Sequence, residues 1–202
     1  MTDDASLLAR AAADDPAAFR ELYERHRTAV ARLVFRMLGG RGDVEDVIQE
    51  VFVQVHRSLK DFRGQSKFST WLHRVTVNVV LMHRRAARSR PTYADEPVGD
   101  IPHVRQQAPD DDAERRERMR AFGRLLDRLA DKKRIVFVLH ELEGISPEEI
   151  GKIVGAPVLT VRTRLFYARR ELEAMLPDEP SLAGLHIGFS KTSGASGLDG
   201  VE

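Results

Sequence analysis

Apolar residues return every three or four positions along most of the chain, which predicts helices with one buried face each. After Asp15 and Pro16, a cap and first-turn pair, the stripe runs through Phe19, Leu22, Tyr23, Val30, Leu33, Val34 and Met37 and stops at Gly39-Gly40. From near Asp43 a second helix carries Val44, Val47, Ile48, Val51, Phe52, Val55 and Leu59 on one face. "FRGQSKF" breaks the pattern at Gly64, and a third helix is expected from about Ser69 to Ser89, with Trp71, Leu72, Val75, Val79 and Met82 inward.

Periodicity then vanishes. Residues 91–114 contain Pro91, Pro97, Pro102 and Pro109 among accumulating acids, the composition of a linker. It returns with Met119, Phe122, Leu125, Leu126 and Leu129, then Ile135, Val136, Val138 and Leu139. Ser146, Pro147 and Glu149 form a capping-box start, Ile150, Ile153 and Val154 an apolar face, and Gly155 a left-handed stop. A further helix begins near Pro157 with Val161, Leu165, Ala168 and Leu172 inside. Past Pro177 the chain is rich in Gly and Ser, which predicts a disordered tail. The expected fold is all-α: two small helical domains, 5–90 and 116–176, joined by a flexible acidic linker at 91–115. A tail at 177–202 follows, and the second domain contains a helix-turn-helix.

Composition sharpens this picture through its distribution. The net charge of +1 hides a block pattern: residues 62–94 lack Asp and Glu while holding Arg63, Lys67, Arg74, Arg84, Arg85, Arg88 and Arg90. Residues 95–117 reverse it with Asp95, Glu96, Asp100, Asp110, Asp111, Asp112, Glu114 and Glu117. Such asymmetry points to a polyanionic partner at the basic segments. The absence of cysteine excludes disulfides and thiolate metal sites and fits a reducing cytoplasm. The acidic first 15 residues have no long apolar run, so neither a signal peptide nor a membrane insertion is expected. Catalysis, cofactors and metals are not expected either. Acids 110–112 are consecutive and do not converge on an ion, the histidines show no ligand spacing, and no phosphate loop or nucleophile–base pair appears.

The last helix carries the first functional signal. Opposite its inner face lie Leu159, Thr163, Phe166, Tyr167 and Arg170, flanked by Arg162 and Arg169. A structural surface helix rarely shows solvent two adjacent aromatics beside several arginines. Groove readers use these groups: Arg for guanine edges or phosphate, Thr and apolar carbons for thymine methyls. Pairing of these arginines with Glu171, Glu173 or the linker is the bland alternative. In the first domain, Asp46, Gln49 and Glu50 share a polar edge that helix-dipole complementarity explains only in part. Asn78 stands amid valines, where its side chain competes for backbone bonds and either caps a neighbour or serves a ligand.

These motifs reach a family. "DVEDVIQEVFVQVHRSLKDFRGQSKFSTWLHRVTVN" resembles the core-binding and promoter-melting region of bacterial sigma factors, and "LHELEGISPEEIGKIVGAPVLTVRTRLFYARREL" resembles their terminal helix-turn-helix region. Order and spacing resemble the extracytoplasmic-function (ECF) group, over roughly residues 5–176. The resemblance implies binding to core RNA polymerase and promoter DNA, and control by an anti-sigma factor. It assigns Asp46, Gln49, Glu50 and Val53 to the polymerase core. It assigns Phe62, Arg63, Gly64, Lys67, Phe68, Ser69 and Thr70 to the loop that receives a flipped −10 base, with Trp71 and Asn78 beside it. Trp71 has a core reading as well. Arg84, Arg85 and Arg88 would follow phosphates, and Arg162, Thr163, Phe166, Tyr167 and Arg170 would read the −35 element. Tyr167 departs from a position that some members make basic. "LADKKRIVF" lacks the family's frequent proline, which leaves Asp131 as the expected cap. The competing reading is a helix-turn-helix regulator that acts without polymerase.

Overall fold

The computed structural model describes residues 4–39, 44–89 and 109–183, which form helices joined by short turns and loops, with no strand among the described residues. The first unit comprises α1 (Asp4–Ala12), α2 (Pro16–Leu38), α3 (Val44–Ser58), a 3-10 turn (Leu59–Asp61) and α4 (Phe68–Ser89). The second comprises α5 (Pro109–Arg128), α6 (Asp131–Phe137) running on into a π turn (Val138–Leu142), α7 (Pro147–Val154), α8 (Val158–Met175) and two 3-10 turns (Leu176–Asp178, Pro180–Leu182).

The local signals act as the side-chain chemistry demands. Asp15 accepts bonds from the Ala17 and Ala18 amides at 2.9 and 3.2 Å, satisfying orphan donors at the start of α2. Gly39 ends that helix at φ 67°, and Gly155 ends α7 at φ 63°. Ser146 accepts from the Glu149 amide at 3.2 Å, so Ser146→Ala should destabilise the second unit by about 0.5–2 kcal/mol. Denaturant unfolding followed by far-UV circular dichroism would measure this, with an unchanged midpoint as the contrary result.

Val34, Val51, Val55 and Val80 are fully buried where α2, α3 and α4 meet, and Leu125, Val136, Ile150, Val161 and Leu172 fill the second core. One buried apolar cluster runs continuously through both units. They are also pinned electrostatically. Arg36 bonds Glu143 at 2.7 Å and the Leu142 carbonyl, while Arg84 and Arg88 reach Asp127 and Asp131.

Five expectations change. Met82 is 63% exposed instead of inward, because the face of α4 that buries Val75 and Val79 is left uncovered beyond Val79. Asp131 is the first residue of α6 and Ala130 its N-cap, so the Asp131 carboxylate is turned toward arginines and away from the backbone amides. Pro109 opens α5 instead of belonging wholly to a linker, since a missing N–H costs nothing in a first helical turn. Residues 177–183 fold back on α5 instead of forming tail: Arg124 donates to Glu179 at 2.9 and 2.7 Å, and Leu182 is 3% exposed. Finally, α1 forms and buries Leu7 and Ala11 against α2, although its nine residues are too few to display a stripe. The helix start at Asp43, Arg90, the linker acids from Asp95 to Asp100, and residues 184–202 lie outside the described residues.

Candidate nucleic-acid interface

Helix α3 buries Val47, Ile48, Val51, Phe52 and Val55 and thereby turns Asp46, Gln49, Glu50 and Val53 outward. Val53 is 42% exposed, a large apolar side chain beside two acids. This face lies away from the second unit, whose contacts fall on α2 and α4.

The loop after α3 is held from below by aromatic packing. Phe62, Phe68 and Trp71 form a triangle with ring centroids 5.3–5.8 Å apart, and the His26 ring lies 5.1 Å from Phe68. Trp71 is half-buried in this cluster, so it supports the loop in this arrangement. Above it, Arg63, Gly64, Lys67 and Ser69 are exposed, and Gly64 takes φ 68°, the left-handed turn that glycine adopts at little cost. Thr70 is nearly buried. Asn78 is exposed two turns further along α4, flanked by buried Val77 and Val79.

The basic end of α4 is divided. Arg85 is exposed, but Arg84 donates to Asp127 at 2.9 Å and to Asp131 at 3.2 Å and lies 3.4 Å from the Met37 carbonyl oxygen. Arg88 grips Asp131 through two 2.9 Å bonds. Burial pushes the Asp131 carboxyl up, yet the bonds and charges of Arg84 and Arg88 outweigh it and hold its pKa below the ordinary value. Arg134, 1% exposed, completes the group by bonding Asp127, while its Nε and Nη2 find no hydrogen-bond partner. Burial pulls its pKa down to about 10. Sequence reasoning missed this pairing altogether. A glycine inside α5 at position 123 was the available signal, since it marks a close backbone approach.

In the second unit α7 and α8 meet at a turn where Gly151 lets the Ala156 carbonyl approach: a Cβ there would lie 2.8 Å from that oxygen. With Val161, Leu165, Ala168 and Leu172 inward, α8 projects Leu159, Thr163, Phe166 and Arg170 along one outward ridge. Leu159 is 76% and Phe166 59% exposed. Arg162 points out beside them and reaches Glu148 of α7 at 3.0 Å; Arg169 is half-buried on Glu141 and belongs to the fold. Tyr167 packs edge-on against Phe166 and lies under the Lys133 ammonium at 5.9 Å, which also bonds Glu171 of α8.

Two helical units in this order match known families. Residues 22–90 match the Sigma-70 region 2 family model and residues 119–172 the Sigma-70, region 4 model. The ECF RNA polymerase sigma-E factor of Haemophilus influenzae is 36% identical over 180 residues, 86% of this chain and 94% of that protein. The sigma-E factor of Escherichia coli strain K12 is 35% identical over 179 residues, 84% and 92% respectively. The chain belongs to the ECF sigma factors.

Solved structures share the fold. CnrH in complex with the cytosolic domain of CnrY superposes with a TM-score of 0.63 at 29% identity, over 86% of this chain and 96% of that one. The sigma factor RpoE bound to the anti-sigma factor NepR, from Bartonella quintana, shares the fold at a TM-score of 0.60, 18% identity and 79% and 96% coverage. As a sigma factor the chain binds RNA polymerase and promoter DNA. The first helical unit is its region 2 and the second its region 4. Among the described residues no helix is long and apolar enough to cross a membrane, and no cluster of three His, Asp or Glu side chains is arranged to hold a metal.

Proposed function

We propose that this sigma factor docks on core RNA polymerase through the α3 face of Asp46, Gln49, Glu50 and Val53. The loop residues Phe62, Arg63, Gly64, Lys67, Phe68, Ser69 and Thr70 then receive a base of the non-template −10 strand, with Trp71 and Asn78 beneath it. Arg84, Arg85 and Arg88 follow the strand's phosphates, and Arg162, Thr163, Phe166, Tyr167 and Arg170 read the −35 element. The outward ridge of α8, whose apolar and cationic groups match major-groove edges, is the observation that carries this reading. The factor itself performs no chemistry in this scheme: it positions DNA for the polymerase, works in the cytoplasm, and is open to capture by an anti-sigma factor, as RpoE is by NepR.

Energetics support a division of labour. Opening about four base pairs costs roughly 5–6 kcal/mol at about 1.4 kcal/mol per stacking step. Capturing two bases at about 1–3 kcal/mol each returns only about 2–6 kcal/mol. The isolated factor should therefore leave promoter DNA closed, whereas the factor with core polymerase should open it and start transcripts at one site. Permanganate footprinting and run-off transcription measure both. Core-independent melting would break the energetic argument, and a complex that neither forms nor transcribes would leave the regulator reading in its place.

A further inference from the structure

Leu159, in the first turn of α8, is the most exposed large apolar side chain among the described residues, at 76%. It adds little to the core, which α8 supplies through Val161, Leu165, Ala168 and Leu172. A single exposed leucine is ordinary, but this one continues a line. Leu159, Thr163 and Phe166 stand at i, i+4 and i+7 and are all exposed. A repeat of 3.6 residues keeps them within about 60° of one another, along about 10 Å of helix axis at 1.5 Å per residue. Set against 3.4 Å per base pair, the line spans about three pairs.

Thr163 belongs to this apolar line despite its hydroxyl. Its Oγ1 donates to the Leu159 carbonyl at 2.9 Å, so its one proton is spent inside the helix. What Thr163 has left for a base is its methyl group and an acceptor oxygen. The electrostatics of the two helix starts then single out α8. Ser146 caps α7, and Glu148 and Glu149 occupy its first turn, so the positive end of α7 is compensated. By contrast, α8 follows Pro157 with no side-chain cap and no acid in its first turn. Its positive end is left for an anion, and the phosphates bordering a groove bring that turn, with Leu159, up to the bases. Exposed Arg162 and Arg170 add charge of the same sign. In the major groove a methyl group is presented by thymine alone.

We propose that Leu159 is a specificity-determining residue of this factor, packing on a thymine 5-methyl at the end of the −35 element that meets the start of α8. It extends the reading by Thr163 and Phe166 by one position, and it does so by shape and apolar contact instead of hydrogen bonding. This inference rests on α8 reading the −35 element.

The test uses the full chain in complex with core RNA polymerase and a pool of promoter duplexes randomised across the −35 region. Selection should return one thymine position that Leu159→Ala no longer selects. Thymine there is then exchanged for deoxyuridine, which removes the methyl and keeps every hydrogen-bonding group. The exchange should weaken binding of the unaltered complex by about 4-fold, the worth of one buried methyl group. With Leu159→Ala the two duplexes should bind equally, while exchange at the other selected thymines should weaken both complexes alike. Alanine is as good a helix former as leucine and the side chain is exposed, so the thermal midpoint should hold. Discrimination between thymine and deoxyuridine that survives Leu159→Ala at every position would overturn the inference, as would an element selected without thymine. Weaker binding of Leu159→Ala to core polymerase without DNA would overturn it too, by making the leucine a protein contact. If Arg162→Ala and Phe166→Ala select the same element as the unaltered chain, α8 is not the reader and the underlying reading fails. If they change the element and Leu159→Ala does not, only the role of Leu159 falls.

Discussion

Arg162→Ala should cut transcription from a promoter bearing the −35 element by about 5- to 150-fold, the equivalent of about 1–3 kcal/mol for one lost base-edge contact. The side chain is 63% exposed and its partner Glu148 lies at the surface, so the screened pair adds little to stability and the thermal midpoint should not move. Loss of a reader has a signature that loss of fold lacks. Against promoters scrambled at −35, the variant and the unaltered factor should transcribe equally, because there is no contact left to lose. Run-off transcription from the two templates checks this. A uniform drop on both templates would assign Arg162 to general phosphate binding, and no drop on either would remove it from the interface.

Asp46→Lys combined with Glu50→Lys should weaken the complex with core polymerase by at least about 30-fold, from about 2–5 kcal/mol for charged contacts buried in an interface. Both residues sit on the exposed side of α3 while its opposite face is buried, so the helix retains its core. Asp46 lies in the first turn, where reversing its sign costs about 0.3–1 kcal/mol against the helix dipole. That penalty is small beside the interface effect and would appear separately in thermal unfolding. Titration of labelled core polymerase with each chain measures the affinity. An unchanged dissociation constant would move the docking surface off α3, whereas duplex −35 binding by region 4 should survive in the variant either way.

The two predictions probe opposite ends of the chain, and they differ in how early their residues could be seen. The α8 ridge was legible from spacing alone, because 100° per residue places Val161, Leu165, Ala168 and Leu172 together and leaves Leu159, Thr163, Phe166 and Arg170 opposite. The α3 edge was legible in the same way. Caps at Asp15 and Ser146 and left-handed stops at Gly39 and Gly155 were equally readable, since each depends only on bonds within a few residues.

Reading failed wherever a residue's role depended on a distant partner. Asp131 looked like a cap because its neighbours form a helix start, yet its carboxylate answers to Arg84 and Arg88, 47 and 43 positions away. Residues 177–183 looked like tail because Pro177 and Pro180 end periodicity, while Glu179 is held by Arg124, 55 positions back. Arg134, in "DKKRIVF", carries no local signal of burial and is the most deeply buried charge described, enclosed only once α5, α6 and the end of α2 converge.

Sequence by itself determined the longer helices, most of their inner and outer faces, the two regions and the family, because periodicity, capping and motif spacing are local and survive without knowledge of the third dimension. Tertiary structure alone decided which charges are free. Arg85 faces solvent while Arg84, one residue earlier on the same helix, is enclosed by two aspartates. Rotation by 100° and the docking of a second unit set that difference, and no pattern within region 2 records where region 4 will sit.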